Sequence, residues 1–370
     1  MPFSEAIFQH TWRIMILQFG AGNFLRAFVD LFVSQTGFDE VVVVQSTGIE
    51  RAEALNRAGG RYHVAVQGFA GGRVIDETVE VSSIKRALHA GTQWDEVLEI
   101  AKRPDLRWIV SNTTEAGFVL EEADRVRGGV PVSFPAKLLA VLLERQAAVL
   151  PGPVILPCEL IERNGEKLRA LVLEQARLWN LPQEALEWLE ESCRWVNNLV
   201  DRIVPGPPKA HELLGKDPLL LSAEPFAFWA IESNESFELQ HPAVVTAADI
   251  TPYYLRKVRI LNGLHSALVC KAMPMGIETV RECLENPEIA AWLEELLFQE
   301  IVPVLEGRVE DPEGFARVTL DRFRNPFLEH KLSAIALNHE AMMKVRLLPT
   351  YEEYRSKFGK EPRLLGQLMS

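Results

Sequence analysis

Basic residues are scarce in this 370-residue chain: 39 lysines and arginines face 51 aspartates and glutamates, for a formal net charge of −12. That balance excludes nucleic acid or an anionic membrane as the main partner, because both require a basic face. Apolar residues make up 48% of the chain. Even so, no apolar run reaches the roughly 18 residues of a membrane span. The N-terminus lacks the charged-then-apolar pattern of a secretory signal. The four cysteines (Cys158, Cys193, Cys270 and Cys283) are scattered without CxxC spacing. That argues against a disulfide framework and suits buried free thiols in a reducing cytoplasm. No set of residues has metal-ligand spacing, so no metal is expected. There is no internal repeat and no low-complexity segment. These absences leave a soluble, cytoplasmic, globular protein long enough to bury two cores.

What is present divides by pattern. From Arg13 to about Val204, short apolar strands (RIMILQF, VVVV, RWIVSN, PVILPC) alternate with helical segments around 93–102, 136–149 and 165–179. Such alternation predicts a mainly parallel sheet covered on both faces. Two further strands, 62–68 and 73–84, are joined by Ala70-Gly71-Gly72. After the Pro/Gly-rich passage PGPPKAHELLGKDP, nearly everything from Thr251 onward has helical periodicity. The expectation is an α/β protein: a Rossmann-type dinucleotide-binding domain over residues 1–245 and a mostly α-helical substrate and catalytic domain over 246–370.

Two stretches carry chemistry. In RIMILQFGAGNFLRAFVDLF, an apolar strand runs into Gly20-Ala21-Gly22, and a helical stripe follows through Asn23, Phe24, Phe28 and Phe32. Gly20 permits the tight turn, and Gly22 lets a pyrophosphate approach backbone N–H groups. Leu25 stands where a third glycine is common. The second strand ends in Gln45-Ser46 rather than in the acidic residue that usually holds ribose. Gln45 can bond ribose, and NAD against NADP stays open. In the loop SNTTEAG, Asn112, Thr113 and Thr114 can face the nicotinamide half of the cofactor, or can simply cap a helix. In TPYYLRKVRILNGLH, Thr251 suits an N-cap and Pro252 the first helical position. Helical winding sets Asn262 and His265 on one face one turn apart, with Lys257 within a quarter-turn of His265, so the three can line one side of a cleft, a grouping suited to proton transfer beside a polarised carbonyl. Taken singly, Lys257 suits a solvated face, His265 a core histidine and Asn197-Asn198 a turn. Asp201-Arg202 reads as a structural ion pair.

Together these motifs resemble the polyol-specific long-chain dehydrogenases and reductases, the mannitol dehydrogenase family. Its signature is a lysine, four residues, an asparagine, two residues and a histidine. GAGNFLRAF is similar to its glycine-x-glycine-x-Phe-x-Arg turn. The segments SNTTEAGF, PCELIERNG, NNLVDRIVPG, EPFAFWAIE, RKVRILNGLH and RFRNPFLEH resemble its tagaturonate reductase (altronate oxidoreductase) branch. The resemblance implies a metal-independent, NAD-dependent reduction of a keto sugar acid or polyol precursor. Lys257 would be the proton donor, Asn262 and Asn197 the donors to the developing alkoxide, and His265 the residue that orients the substrate oxygen. Fructuronate reductase, mannitol 2-dehydrogenase and mannitol-1-phosphate 5-dehydrogenase are the enzymatic alternatives, and a cofactor-binding sensor or scaffold the non-enzymatic one.

Polyol-oxidising members carry a late arginine and lysine, in an Arg-x-x-x-Asp context, that grip sugar hydroxyls. Here Ala334-Ile335-Ala336-Leu337-Asn338 occupies that stretch. Arg259, His339 and Lys344 are the candidates for a substrate carboxylate, and Glu115 for modulating Lys257. The chain ends at PRLLGQLMS, similar to the start of the family's final helical region, so an incomplete substrate closure is an open expectation. The family implies a monomer or small homo-oligomer.

Overall fold

The computed structural model describes residues 14–37, 40–113 and 115–369. Thr114 therefore lies outside the described residues. Contacts divide the chain into two compact units. One takes in the chain to His63 together with Glu80–Asn198 and Phe237–Pro242. The other comprises Val64–Val79, Leu199–Ser236 and Ala243 onward.

The described residues form the strands β1 (Met15–Phe19), β2 (Glu40–Gln45), β3 (Tyr62–Ala70), β4 (Arg73–Val81), β5 (Ile84–His89), β6 (Leu106–Ser111), β7 (Val154–Pro157), β8 (Arg194–Trp195), β9 (Asn198–Asp201), β10 (Leu221–Ala223), β11 (Phe228–Glu232) and β12 (Val244–Ala247). The first unit is built on a six-stranded sheet of order β5-β2-β1-β6-β7-β8. Its pairings are parallel throughout. Successive strands run outward from β1 through β2 to β5, then return to β6 on the other side of β1. That reversal is the switch point at which doubly wound sheets open onto a ligand. All five β1 residues are buried. Strands buried along their whole length are what a sheet covered on both faces requires. Helices Trp94–Ala101, Phe134–Ala147 and Asn164–Leu178 follow the expected segments.

One helical stretch differs from its sequence pattern. The stripe after Gly22 is not one helix but two, Asn23–Arg26 and Val29–Thr36. The first turn closes through three-residue bonds, Ala27 N–H to Phe24 O at 3.1 Å and Phe28 N–H to Leu25 O at 3.2 Å. Phe28 then leaves helical geometry at φ −129°, ψ −87°. The apolar stripe survives the break because Phe28 stacks on Phe24 and tilts against Phe32, with ring centroids 4.9 and 4.7 Å apart.

The second unit holds two three-stranded sheets, β10-β3-β4 and β12-β11-β9, and the helices after Ile250. Gly71 and Gly72, both at positive φ, turn β3 into β4. A separate helical core forms around Leu264, Leu268, Leu293, Leu297 and Phe315. Among the described residues no helix is long and apolar enough to cross a membrane. The four cysteines are unpaired thiols, three of them buried.

The helix carrying Lys257 departs twice from expectation. Its N-cap is Ile250 rather than Thr251, because the Asp249 carboxylate accepts the Thr251 N–H at 2.8 Å. Its winding also changes, from α over Thr251–Arg256 to π over Lys257–Asn262 and back to α over Gly263–Ala272.

Candidate active site

In the first unit, the ends of β1 and β6 lie side by side, with Phe19 in register with Ser111. The Gly20–Gly22 turn and the Asn112–Thr113 loop therefore leave the sheet at its switch point. Gly20 sits at φ +122°, and a Cβ there would stand 2.9 Å from the Asn112 carbonyl oxygen. Only glycine meets both demands. Gly22 differs, since a Cβ there would meet nothing within 4 Å. Packing does not require that glycine. The clear approach to the backbone suits the pyrophosphate of a dinucleotide, so these residues fit the group the fold implies.

Around the turn, Ala21 is buried and its carbonyl accepts from Arg51 Nη1 at 3.3 Å. Asn23 Oδ1 accepts from Arg26 Nη2 at 2.7 Å. The Gln45 carboxamide is engaged locally: it donates to Thr47 O and accepts from Ala52 N, both at 2.7 Å. Ser46 beside it is exposed. Asn112 donates to Cys158 O at 2.7 Å. Thr113 is held through both its N–H and its hydroxyl by Glu159 Oε1, at 2.8 and 3.1 Å. Burial raises the pKa of this carboxyl despite those donors. Glu115 opens a short 3-10 turn, Glu115–Gly117. Asn197, also in this unit, is buried and exchanges two 3.2 Å bonds with Glu166, accepting from its N–H and donating to its carboxylate.

The second unit holds the lysine. Lys257 Nζ donates to Val200 O at 2.8 Å, lies 3.7 Å from Asp201 Oδ1, and has a side chain only 15% exposed. Residues five apart stand close to one side of a π-turn, because its hydrogen bonds run i to i+5. That winding turns Asn262 toward the side of the helix that carries Lys257, where an α-helix would set them widely apart. The Asn262 side chain has no hydrogen bond among the described residues. One turn further, His265 is 8% exposed and its Nε2 has no partner among the described residues. Its ring lies against Phe323 and His330, at centroid distances of 4.6 and 4.8 Å. Burial, then the charges of His330, Arg322 and Arg346, hold its pKa well below the usual imidazole value. It is therefore neutral near pH 7, with one ring nitrogen to donate and one to accept.

Behind the lysine lies a set of charges that the sequence did not reveal. Arg322 binds Glu224 at 2.9 and 2.7 Å and Asp201 at 3.2 and 3.0 Å, all three side chains being almost fully buried. Burial alone would raise the Asp201 pKa, but Arg322 and Lys257 outweigh it and hold the carboxyl below its ordinary range. Glu224 has Arg322 without Lys257, and there burial wins and raises the pKa. Asp201 thus pairs with Arg322 and Lys257, contrary to the expected pairing with its neighbour; Arg202 Nε donates to Glu224 O at 3.0 Å. The only sequence signal was that Asp201, Glu224 and Arg322 each fall in a segment resembling the family.

The three carboxylate candidates have other employment. Arg259 is buried between Thr350 Oγ1, at 2.9 Å, and Glu353, at 3.2 Å. Lys344 is exposed beside Glu340. His339 Nε2 lies 3.1 Å from Cys270 Sγ.

Family models agree with this architecture along the chain. The mannitol dehydrogenase Rossmann domain matches residues 14–243, and the mannitol dehydrogenase C-terminal domain matches 249–369. An altronate oxidoreductase of Bacillus subtilis (strain 168) is 40% identical over 95% of this chain and 77% of its own length. One from Yersinia enterocolitica serotype O:8 / biotype 1B is 39% identical over 94% and 76%. Among solved structures, a substrate-free D-sorbitol dehydrogenase superposes with a TM-score of 0.84 at 23% identity, covering 93% of this chain and 77% of that one. Pseudomonas fluorescens mannitol 2-dehydrogenase, in a ternary complex with NAD and D-mannitol, gives 0.77 at 22% identity, over 96% and 78%. At such identities the two structures speak for the fold alone. The sequence matches go further: the chain belongs to the mannitol dehydrogenase family.

Proposed function

We propose that the chain is an NAD-dependent oxidoreductase that interconverts a keto sugar acid and its hydroxy acid, tagaturonate and altronate. Residues 1–245 bind the cofactor, and residues 246–370 supply the catalytic lysine and the substrate contacts. The observation that carries this reading is the enclosed Lys257 ammonium, five residues from an unengaged Asn262 in a π-turn and followed by the unpartnered Nε2 of His265. The altronate oxidoreductases at about two-fifths identity point to the substrate class.

The Gly20–Gly22 turn would hold NADH, which would supply the hydride for the carbonyl carbon. The chain's own residues manage the oxygen. Its growing negative charge draws a hydrogen bond from the Asn262 carboxamide, a donor that strengthens as the charge develops. Neutral His265 orients the same oxygen through a ring N–H. Lys257 gives up a proton from Nζ to form the hydroxyl, and takes it back in the oxidative direction. The Val200 carbonyl accepts one ammonium hydrogen and so fixes where the remaining ones point. Asp201 balances the ammonium charge, which a largely desolvated lysine requires.

The test is a panel of tagaturonate, fructuronate, fructose and fructose 6-phosphate with NADH and with NADPH. The reading expects the highest kcat/KM for tagaturonate with NADH. A preference for fructose or its phosphate would overturn the sugar-acid assignment, and cofactor binding without turnover would favour a sensor.

A further inference from the structure

A keto sugar acid carries a full negative charge at one end, and none of the three expected carboxylate candidates is disposed to meet it. The helix that carries Lys257 brings another cation forward. Gly263, directly after Asn262, lets the chain at Arg346–Leu347 pack against it: a Cβ there would stand 3.2 Å from Leu347 Cδ2 and 3.7 Å from the Arg346 carbonyl oxygen. The glycine that breaks helical propensity in LNGLH thus has a packing reason. From that anchor the Arg346 side chain reaches Ser266, the residue after His265, and Nη1 donates to its Oγ at 3.2 Å. The guanidinium is half-buried and makes no ion pair among the described residues.

Other arginines of this helical region differ: Arg256, also half-buried, lies over the Phe228, Tyr253 and Phe315 rings and donates to Glu310 O at 3.3 Å. Arg322 has two carboxylates, and Arg259 has Glu353. Arg346 has one neutral hydroxyl. Burial lowers its pKa, with only Tyr254 acting the other way. Its charge is felt at His265 and at His339, so it acts within the electrostatic reach of the residue assigned to the substrate oxygen. A partly desolvated cation without a counter-ion is costly unless something negative completes it.

We infer that Arg346 is the specificity-determining residue of this site, binding the carboxylate of the sugar acid through its guanidinium fork while Ser266 fixes the fork's direction. Arginine suits the task because its planar donors match a carboxylate bidentately, which lysine cannot do. The inference deepens the proposed function and rests on it. An uncharged ketose gains nothing from such a residue, so Arg346 separates sugar acids from neutral sugars.

The experiment compares wild type, Arg346→Met and Arg346→Lys on tagaturonate and on fructose with NADH. NADH titration and a thermal melt report whether each variant is folded. For Arg346→Met, kcat/KM on tagaturonate should fall roughly 10- to 100-fold, mostly through KM, because a hydrogen-bonded charge pair is removed. The drop on fructose should be at least about tenfold smaller. Arg346→Lys should recover part of the loss, since charge returns without the fork. Wild-type KM in Arg346→Met, or equal losses on both substrates in a variant that binds NADH, would overturn the inference while leaving the proposed reaction standing. If Arg346→Met does not fold, Ser266→Ala replaces it, with a several-fold rise in KM confined to tagaturonate expected and an unchanged KM overturning the inference. A wild-type protein without turnover on any sugar acid would remove both.

Discussion

Two of the buried aspartates, Asp30 and Asp201, are treated in opposite ways. Asp201, in the second unit, is flanked by Arg322 and Lys257, and they hold its carboxyl below the ordinary range against the pull of burial. Asp30, in the first, lies on the helix after the glycine turn and receives one bond from Gln18 Nε2 at 3.2 Å and one from Tyr62 Oη at 3.4 Å. Burial outweighs those donors and the nearby Arg26 charge, and lifts its pKa to about 7. Its Oδ1 and the Gln18 Oε1 have no partner among the described residues. The same Gln18 Nε2 also donates to Gly20 O at 3.1 Å, so this cluster buttresses the cofactor turn. The lesson is that depth alone does not set charge: two contacting cations outweigh it at Asp201, whereas one does not at Glu224. The second unit keeps a permanent charge set to hold an ammonium, whereas the first keeps a carboxyl close to neutral to brace a backbone.

The largest effect should come from breaking the charged cluster. Arg322→Met leaves Asp201 and Glu224 buried without their shared cation and should cost about 3–5 kcal/mol of stability, read from urea unfolding at pH 8. A loss under about 1 kcal/mol would mean that the cluster is not the buried charge system described here.

Acting on the other aspartate should have the opposite sign. A carboxyl with a folded pKa near 7 and an unfolded value near 3.8 binds more protons when folded, so it costs stability as pH rises through that interval. Asp30→Asn should unfold much as wild type does at pH 4, then become the more stable protein by pH 8, by up to about 4 kcal/mol. Glu159 and Glu224 shift in the same direction, so the comparison must be with wild type rather than along one pH curve. Asp201, with its lowered pKa, stabilises above its unfolded value and loses that contribution as pH falls below about 4.

How much of this is legible in the sequence follows from the range of the interactions. The cofactor crevice is, because a strand, two glycines and a helical stripe are local patterns, and the need for Gly20 comes from a backbone approach that strand order alone implies. The break at Phe28 is not, since the Phe24, Phe28, Phe32 spacing is the same in one helix or two. The identities of Lys257, Asn262 and His265 are legible, but their relative direction is not. Uniform α-winding sets Lys257 and Asn262 about 140° apart, and only the π-turn closes that angle. The Arg322 cluster is the least legible, because Arg322 lies 98 residues from Glu224 and 121 from Asp201 along the chain. No local pattern encodes such a pairing.

The smallest stability effect should be at the residue that matters most for chemistry. Lys257→Met leaves Asp201 paired with Arg322 and should change unfolding by only about 1 kcal/mol. That makes it the cleanest probe of the central claim, that the enclosed ammonium is the proton donor. In single-turnover mixing of Lys257→Met, NADH and tagaturonate at pH 7, NADH oxidation should slow by roughly 10²- to 10⁴-fold while NADH affinity stays within about twofold of wild type. NADH oxidation at the wild-type rate would contradict the account.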